Sequence, residues 1–129
     1  MNETVQLILV MPPQDLAISS DTAAIERAAR AIVYLAVEWS MPERLARPIV
    51  QSAIRSLPDL GFEFFAVEED GPVTGPWLLS HGWTEYPTGA GSLMWFERGK
   101  AVAKELVPGK LGADAIVRKT LALWCHPAA

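Results

Sequence analysis

The sequence predicts an α+β domain, in which a small antiparallel sheet of about four strands carries helices packed mainly on one face. Short β-branched and aromatic runs bounded by Gly and Pro predict the strands. Apolar residues that recur at helical spacing predict the helices between them. Half of the 129 residues are apolar and a fifth are charged, which is typical of a globular core. The length corresponds to one domain, residues 1–129.

The first third of the chain is predicted to form a strand and then a long helix. Residues 4–11 are aliphatic and β-branched, and Pro12 and Pro13 end them. A helix follows over residues 21–39, but residues 31–37 contain no charge, so this part of the helix is apolar on every side. A helix of that kind must be covered on both sides. We therefore expect either a central helix or one that contacts a second subunit in a homodimer.

The middle of the chain is predicted to form a broken helix and a strand. Ser40 and Glu43 have the spacing of a capping box, which marks a helix N-terminus. Pro48 interrupts the helix that follows, because proline lacks an N–H and its ring disfavours an interior turn. We expect helical pieces over 42–46 and 48–57, then a strand over 60–67, where aromatic and β-branched residues are frequent.

The remaining elements are predicted from the positions of glycine and proline, which mark where helices and strands end. Residues 77–81 are predicted to form a short helix between Pro76 and Gly82. Residues 83–86 and 93–98 are predicted to pair as a hairpin around a glycine-containing loop. Residues 101–107 and 113–125 are predicted to be helices.

The candidate binding site is the aromatic segment that contains this hairpin. Tryptophan and tyrosine are enriched at recognition hot spots, but they also fill the cores of small domains. Core and recognition surface both stay open as interpretations. If the segment is a surface, the residues expected to contact a ligand or partner are Trp77, His81, Trp83, Tyr86, Trp95 and Arg98.

The sequence contains no recognisable catalytic set, so we do not expect an enzyme. The alternative is a small acid–base enzyme in which His81 works with Glu85 or Glu97, because an imidazole and carboxylates are common acid–base groups. The loop Gly89-Ala90-Gly91 is followed by a strand and not by a helix, which does not fit a phosphate-binding loop. We expect no metal and no cofactor.

The charge is unevenly distributed along the chain. The net charge is −4, which disfavours nucleic acid as a default partner. Residues 1–97 are acidic, whereas residues 98–129 are basic. A second alternative is therefore a nucleic-acid-associated regulator that uses this basic C-terminal third.

The features above predict a small binding or regulatory module, whose protein or small-molecule partner contacts the aromatic hairpin. No apolar run is long enough to cross a membrane. The N-terminus lacks the pattern of a secretory signal, and the only cysteine is Cys125. We expect a cytoplasmic protein without a membrane partner.

Overall fold

The computed structural model describes residues 18–19, 22–70, 74–83 and 89–125, and it confirms the α+β class. Within these ranges the chain forms five strands and five helices. In chain order they are β1 (Ile18–Ser19), α1 (Thr22–Arg27), β2 (Arg30–Ala36), α2 (Met41–Ser56), β3 (Glu63–Glu68), α3 (Thr74–Ser80), β4 (Leu93–Glu97), β5 (Lys100–Glu105), α4 (Pro108–Leu111) and α5 (Ala113–Trp124).

The sheet is mixed, whereas the sequence predicted an antiparallel one. Its described strands lie in the order β1-β3-β2-β4-β5. Strands β1, β3 and β2 are parallel, while β4 is antiparallel to β2 and β5 is antiparallel to β4. Helix α2 connects β2 to β3 because neighbouring parallel strands require a long crossover.

The apolar run at residues 31–37 is the central strand and its end, so the long helix predicted over 21–39 is wrong. Only Thr22–Arg27 is helical in this region. Side chains alternate between the two faces of β2: Ile32 and Tyr34 point to one face, and Val33 and Leu35 point to the other. A strand buried on both faces has the same unbroken apolar sequence as a buried helix. The observation behind the homodimer prediction is thus explained within one chain.

Helices cover both faces of the sheet, with the longer ones on one side. Helices α2 and α5 contribute Val50, Ala53, Ile116 and Trp124 to the first core. Helices α1 and α3 contribute Ile25, Trp77 and Leu78 to the second core, on the opposite face. No helix within the described ranges is long and apolar enough to cross a membrane.

Two further element predictions differ from the structure, and two others involve residues outside the described ranges. Helix α2 continues through Pro48, since its buried face packs on the sheet and offsets the missing hydrogen bond. Residues 100–105 form the edge strand β5 and not a helix, and exposed lysines protect its open side. Strand β4 pairs with β2 and β5, and residues 84–88 of the predicted hairpin lie outside the described residues. The predicted strand at 4–11 also lies outside them.

Candidate functional site

The candidate site lies where the parallel strands β2 and β3 end. In open sheets with parallel strands, ligands bind beyond the carboxyl ends of those strands, next to the point where the chain changes direction. Residues 37–40 follow β2 and lead into α2, and residues 69–70 follow β3. Gly89 reaches the same edge, where its carbonyl accepts a hydrogen bond from the Ser40 hydroxyl (2.6 Å).

Three large apolar side chains are exposed at this edge. Trp39 is 67% exposed, Met41 56% and Leu45 66%. Met41 and Leu45 stand four residues apart at the start of α2, so they share one face of the helix, and Trp39 lies two residues before the helix begins. We call these three residues the apolar patch. Large apolar side chains exposed close together in this way are typical of an interaction surface.

Three exposed carboxylates lie near the apolar patch, at the ends of β2 and β3. The indole N–H of Trp39 donates a hydrogen bond to Oδ2 of Asp70 (3.0 Å), which fixes the ring beside the end of β3. Glu38 precedes Trp39, and Glu68 pairs in register with Ala36 at the end of β2. Glu38, Glu68 and Asp70 are all exposed. The patch therefore has an acidic rim on the side of β2 and β3, whereas the exposed Arg44 adjoins it on α2.

A buried polar network lies beneath the patch. The Tyr34 hydroxyl donates to the carboxylate of Glu43, and the Val37 backbone N–H donates to the same carboxylate (2.9 Å). Arg47 adds a two-point contact through Nε (2.8 Å) and Nη2 (2.6 Å). Glu43 is completely buried, so these donors replace its lost hydration. The network anchors the start of α2 to the central strand.

The network also sets the ionisation of its members. Burial disfavours the charged form of Glu43, but the hydrogen bonds from Arg47, Tyr34 and Val37 together outweigh burial and hold its pKa below the usual value. Burial, together with the adjacent Glu43 carboxylate, raises the pKa of the Tyr34 hydroxyl. The network thus contains a carboxylate and a neutral phenol, and no member of it is poised to exchange protons near neutral pH.

A second buried carboxyl, Glu69, lies at the same edge with weaker support. Both of its carboxyl oxygens are 3.3–3.4 Å from the Gly89 backbone nitrogen, and the residue is 2% exposed. Burial raises the pKa of Glu69, and the charges of Asp70 and Glu43 raise it further, against the lowering effect of the Gly89 N–H. Glu69 therefore releases its proton less readily than an ordinary glutamate, in contrast to Glu43.

The structure places two of the sequence-predicted site residues in the core. Trp95 is fully buried in the first core, where its indole N–H donates to the Thr120 hydroxyl (3.0 Å). Trp83 is 2% exposed and lies in the second core, with the Lys104 ammonium 5.2 Å from its ring centre. The two rings lie on opposite faces of the sheet, so they cannot form one recognition surface. The core interpretation applies to both.

Trp77 and His81 come together, but with a structural partner. The Trp77 indole N–H donates to Oε2 of Glu26 (2.8 Å), and Nε2 of His81 is 3.3 Å from the same oxygen. Phe96 packs against both rings, 5.3 Å from Trp77 and 5.0 Å from His81 between ring centres. The pKa of Glu26 is lowered mainly by the Trp77 hydrogen bond and then by that of His81. This cluster attaches α1 to α3.

The acid–base pair of His81 and Glu97 is not formed. His81 packs on Phe96 in the second core. Glu97 follows Phe96 in β4 and therefore points to the opposite face of the sheet, where it accepts a hydrogen bond from the Trp124 indole (2.7 Å). Glu85 and Tyr86 lie outside the described residues. Arg98 lies in the turn between β4 and β5.

Two basic residues of the C-terminal third pack on opposite faces of the sheet. Lys104 lies over Trp83 on one face of the sheet, and Lys119 lies 5.3 Å from the Trp95 ring on the other. Lys119 also donates to the Lys104 carbonyl (2.8 Å). Two of these cations therefore stabilise the fold on opposite sides. Within the described residues there is also no cluster of three or more His, Cys, Asp or Glu that could hold a metal ion.

Sequence reasoning missed the apolar patch and the network beneath it. Ser40 and Glu43 were recognised only as a helix start. Ser40 is indeed at the N-cap, but its hydroxyl bonds Gly89 and not the helix backbone. The signal that could have found the site is the run at residues 31–37: taken as a buried parallel strand, it places the next residues at the edge where ligands bind.

Comparisons with known proteins define the class of fold. No family model matches the chain, and no curated protein matches it. A mutant thioredoxin from Halobacterium salinarum has a TM-score of 0.60 at 12% identity, covering 83% of this chain and 84% of that one. The oxidised thioredoxin of Plasmodium falciparum has a TM-score of 0.60 at 15% identity, covering 81% of this chain and 97% of that one. A thioredoxin of Chlamydomonas reinhardtii has a TM-score of 0.61 at 11% identity, covering 85% of this chain and 96% of that one. The chain therefore has a thioredoxin-like fold, and at these identities the likeness extends to the fold alone.

Proposed function

We propose that this chain is a binding module that uses a thioredoxin-like fold without a dithiol. In this proposal the apolar patch binds an apolar polypeptide segment flanked by basic residues. The observation that carries it is the exposure of Trp39, Met41 and Leu45 at the edge of the sheet where such folds place their ligands. The finer prediction of an aromatic hairpin surface is replaced by this patch, because Trp83 and Trp95 are buried.

The cysteine content argues against thioredoxin chemistry. Thioredoxins exchange disulfides through a Cys-X-X-Cys pair, and thiolates of this kind are stabilised at helix N-termini. At the N-terminus of α2 the two positions with that spacing hold Ser40 and Glu43. The single cysteine, Cys125, follows the end of α5 and is exposed. These 129 residues therefore cannot close an internal disulfide. A binding role explains the exposed apolar side chains at this edge better than disulfide exchange does.

The chemistry of the partner follows from the patch and its rim. Trp39 and Leu45 offer apolar area that is favourable to bury against another apolar surface. Glu38, Glu68 and Asp70 favour cations beside that area and disfavour acidic partners. A short peptide with apolar residues at its centre and Lys or Arg at its ends satisfies both requirements.

A displayed random-peptide library, selected on the immobilised full chain, tests the proposal. We expect enrichment of sequences with an apolar centre and basic flanks. A synthetic peptide of the consensus should bind in solution, measured by fluorescence anisotropy, and Trp39→Ala should weaken its binding about tenfold or more, as for a hot-spot tryptophan.

The matched control is Leu79→Ala. Leu79 is also exposed, at 60%, but it lies on α3, on the other layer of the molecule. We expect this variant to bind the consensus peptide like the parent. Peptides that bind the parent, Trp39→Ala and Leu45→Ala equally well would show that the patch is not the binding surface.

A thiol–disulfide assay separates the proposal from a redox function. Reduction of insulin by dithiothreitol, followed as turbidity, should proceed at the same rate with and without the protein. A clear acceleration that is lost in Cys125→Ser would show thiol chemistry and contradict a purely binding role. We keep the cytoplasm as the proposed location. The homodimer stays a prediction, and light scattering of the parent and of Trp39→Ala would show whether a second copy occupies the patch.

A further inference from the structure

A cleft lies at the other end of the strands from the apolar patch, where β2 begins and β4 ends. Its volume is about 280 Å³, and it is independent of the apolar patch. The residues that line it are Ala29, Arg30, Leu60, Gly61, Glu97 and Arg98. Two arginines and one glutamate give this cleft a net positive charge on a chain whose net charge is −4.

Arg30 is held in place with most of its donors unused. Its Nη1 donates to the Leu60 carbonyl (2.8 Å), and its guanidinium carbon lies 5.4 Å from the centre of the Trp124 ring. A guanidinium presents five N–H donors, and in the described part of the chain only this one has an acceptor. A fixed guanidinium with free donors can bind an oxyanion at little entropic cost.

Arg98 occupies a backbone conformation that its side chain disfavours. Arg98 and Gly99 connect β4 to β5 in a two-residue turn, and both have positive φ, 49° and 82°. Such turns favour Asn, Asp or Gly at the first position. The Arg98 backbone N–H bonds the Ala29 carbonyl (3.0 Å), which fixes the turn at the wall of the cleft. Its guanidinium has no hydrogen bond to any described residue.

We propose that the cleft binds a small oxyanion, with Arg30 and Arg98 donating from two sides. Arginine pairs are suited to bidentate recognition of carboxylate and phosphate groups. The Glu97 carboxylate also lines the cleft, and Oε2 of Glu97 is occupied by the Trp124 indole (2.7 Å). Its charge opposes the anion, so the ligand is expected to lie on the Arg98 side. Trp124 contacts both Arg30 and Glu97, so its indole N–H signal should report the binding of an anion in the cleft.

Nuclear magnetic resonance titrations of the full chain at constant ionic strength test this inference. Inorganic phosphate and succinate are added separately, and the Trp124 indole and Gly61 amide signals are followed. We expect saturable shifts with at least one anion. Saturation by both assigns the shared oxyanion chemistry, and saturation by one identifies the phosphate or the carboxylate as the recognised group. Shifts that stay linear with both anions would overturn the proposal.

Two variants make the test specific. Arg98→Asn removes the charge and suits the positive-φ turn, so it should fold at least as well as the parent. We expect it to bind the anion about tenfold more weakly. Arg44→Gln, which removes an exposed cation from α2, should bind like the parent. Equal binding by the parent and Arg98→Asn would overturn the assignment.

Discussion

The hydroxyl of Tyr34, on the central strand, donates a hydrogen bond to the buried carboxylate of Glu43, in the first turn of α2. This contact connects the end of the sheet to the helix that carries Met41 and Leu45. Arg47 neutralises the carboxylate from the next turn of the same helix. The apolar patch therefore stands on a rigid base, which favours binding because little ordering is needed.

The network should be essential for stability. Glu43→Ala leaves the Arg47 guanidinium without its carboxylate and the Tyr34 hydroxyl with only the backbone carbonyl of residue 43 (3.1 Å). We therefore expect a loss of about 3–5 kcal/mol in the free energy of unfolding. Tyr34→Phe removes one donor from a buried carboxylate, and we expect a loss of about 1–3 kcal/mol. Urea denaturation measures both. Losses that simply add in the double variant would show that the two residues do not interact.

Glu69 should give the stability of the protein a pH dependence opposite to that of Glu43. The pKa of Glu69 is raised in the folded state, so folding favours its protonated form, and its ionisation reduces stability as the pH rises through that pKa. We expect Glu69→Gln to gain stability over the parent as the pH rises from 4.5, the usual value for this carboxyl, until the folded pKa has been passed.

The Glu43 carboxylate provides the comparison. Its folded pKa is lowered, so its contribution is present above the unfolded pKa and is lost as the pH falls through the folded one. The stability deficit of Glu43→Gln should therefore shrink on acidification. Thermal denaturation from pH 3 to 8 follows both variants, and a Glu69→Gln difference that is constant over this range would contradict the assignment.

Gly91 should tolerate no side chain. Its φ is +73°, and an added Cβ would lie 2.8 Å from the Tyr34 hydroxyl oxygen. We expect Gly91→Ala to lose about 1–3 kcal/mol of unfolding free energy, from backbone strain and crowding together. Gly61→Ala is the control, because φ is +70° there but the space is open. Its loss should be only about 1 kcal/mol. Tyr34→Phe should relieve part of the Gly91→Ala loss.

Trp39 should dominate the quenching of the protein's fluorescence. It is 67% exposed, whereas the other four tryptophans, Trp77, Trp83, Trp95 and Trp124, are buried. We expect acrylamide to quench one component strongly, and Trp39→Phe to remove that component. Strong quenching that persists in Trp39→Phe would mean that another indole is accessible, and the aromatic surface predicted from the sequence would regain support.

Several elements could be predicted because their signals are local. The helix over 113–125 was predicted from apolar spacing at Ile116, Thr120 and Trp124, and these residues face the first core. The strand over 60–67 was predicted from its aromatic and β-branched content. The helix predicted over residues 101–107 was wrong, because a short run of small and charged residues is compatible with a short helix as well as with an edge strand. Pairing with β4 decides between them.

The sequence by itself determined the α+β class, the boundaries of α5 and the need to cover residues 31–37 on both sides, since composition and spacing act over a few residues. Only the tertiary structure decided that these residues form a central parallel strand, that Trp83 and Trp95 lie on opposite faces, and that Trp39 stays exposed. These outcomes depend on contacts between residues far apart in the chain, such as Trp39 with Asp70 and Tyr34 with Glu43. Local pattern carries no information on which distant strand or carboxylate a side chain will meet.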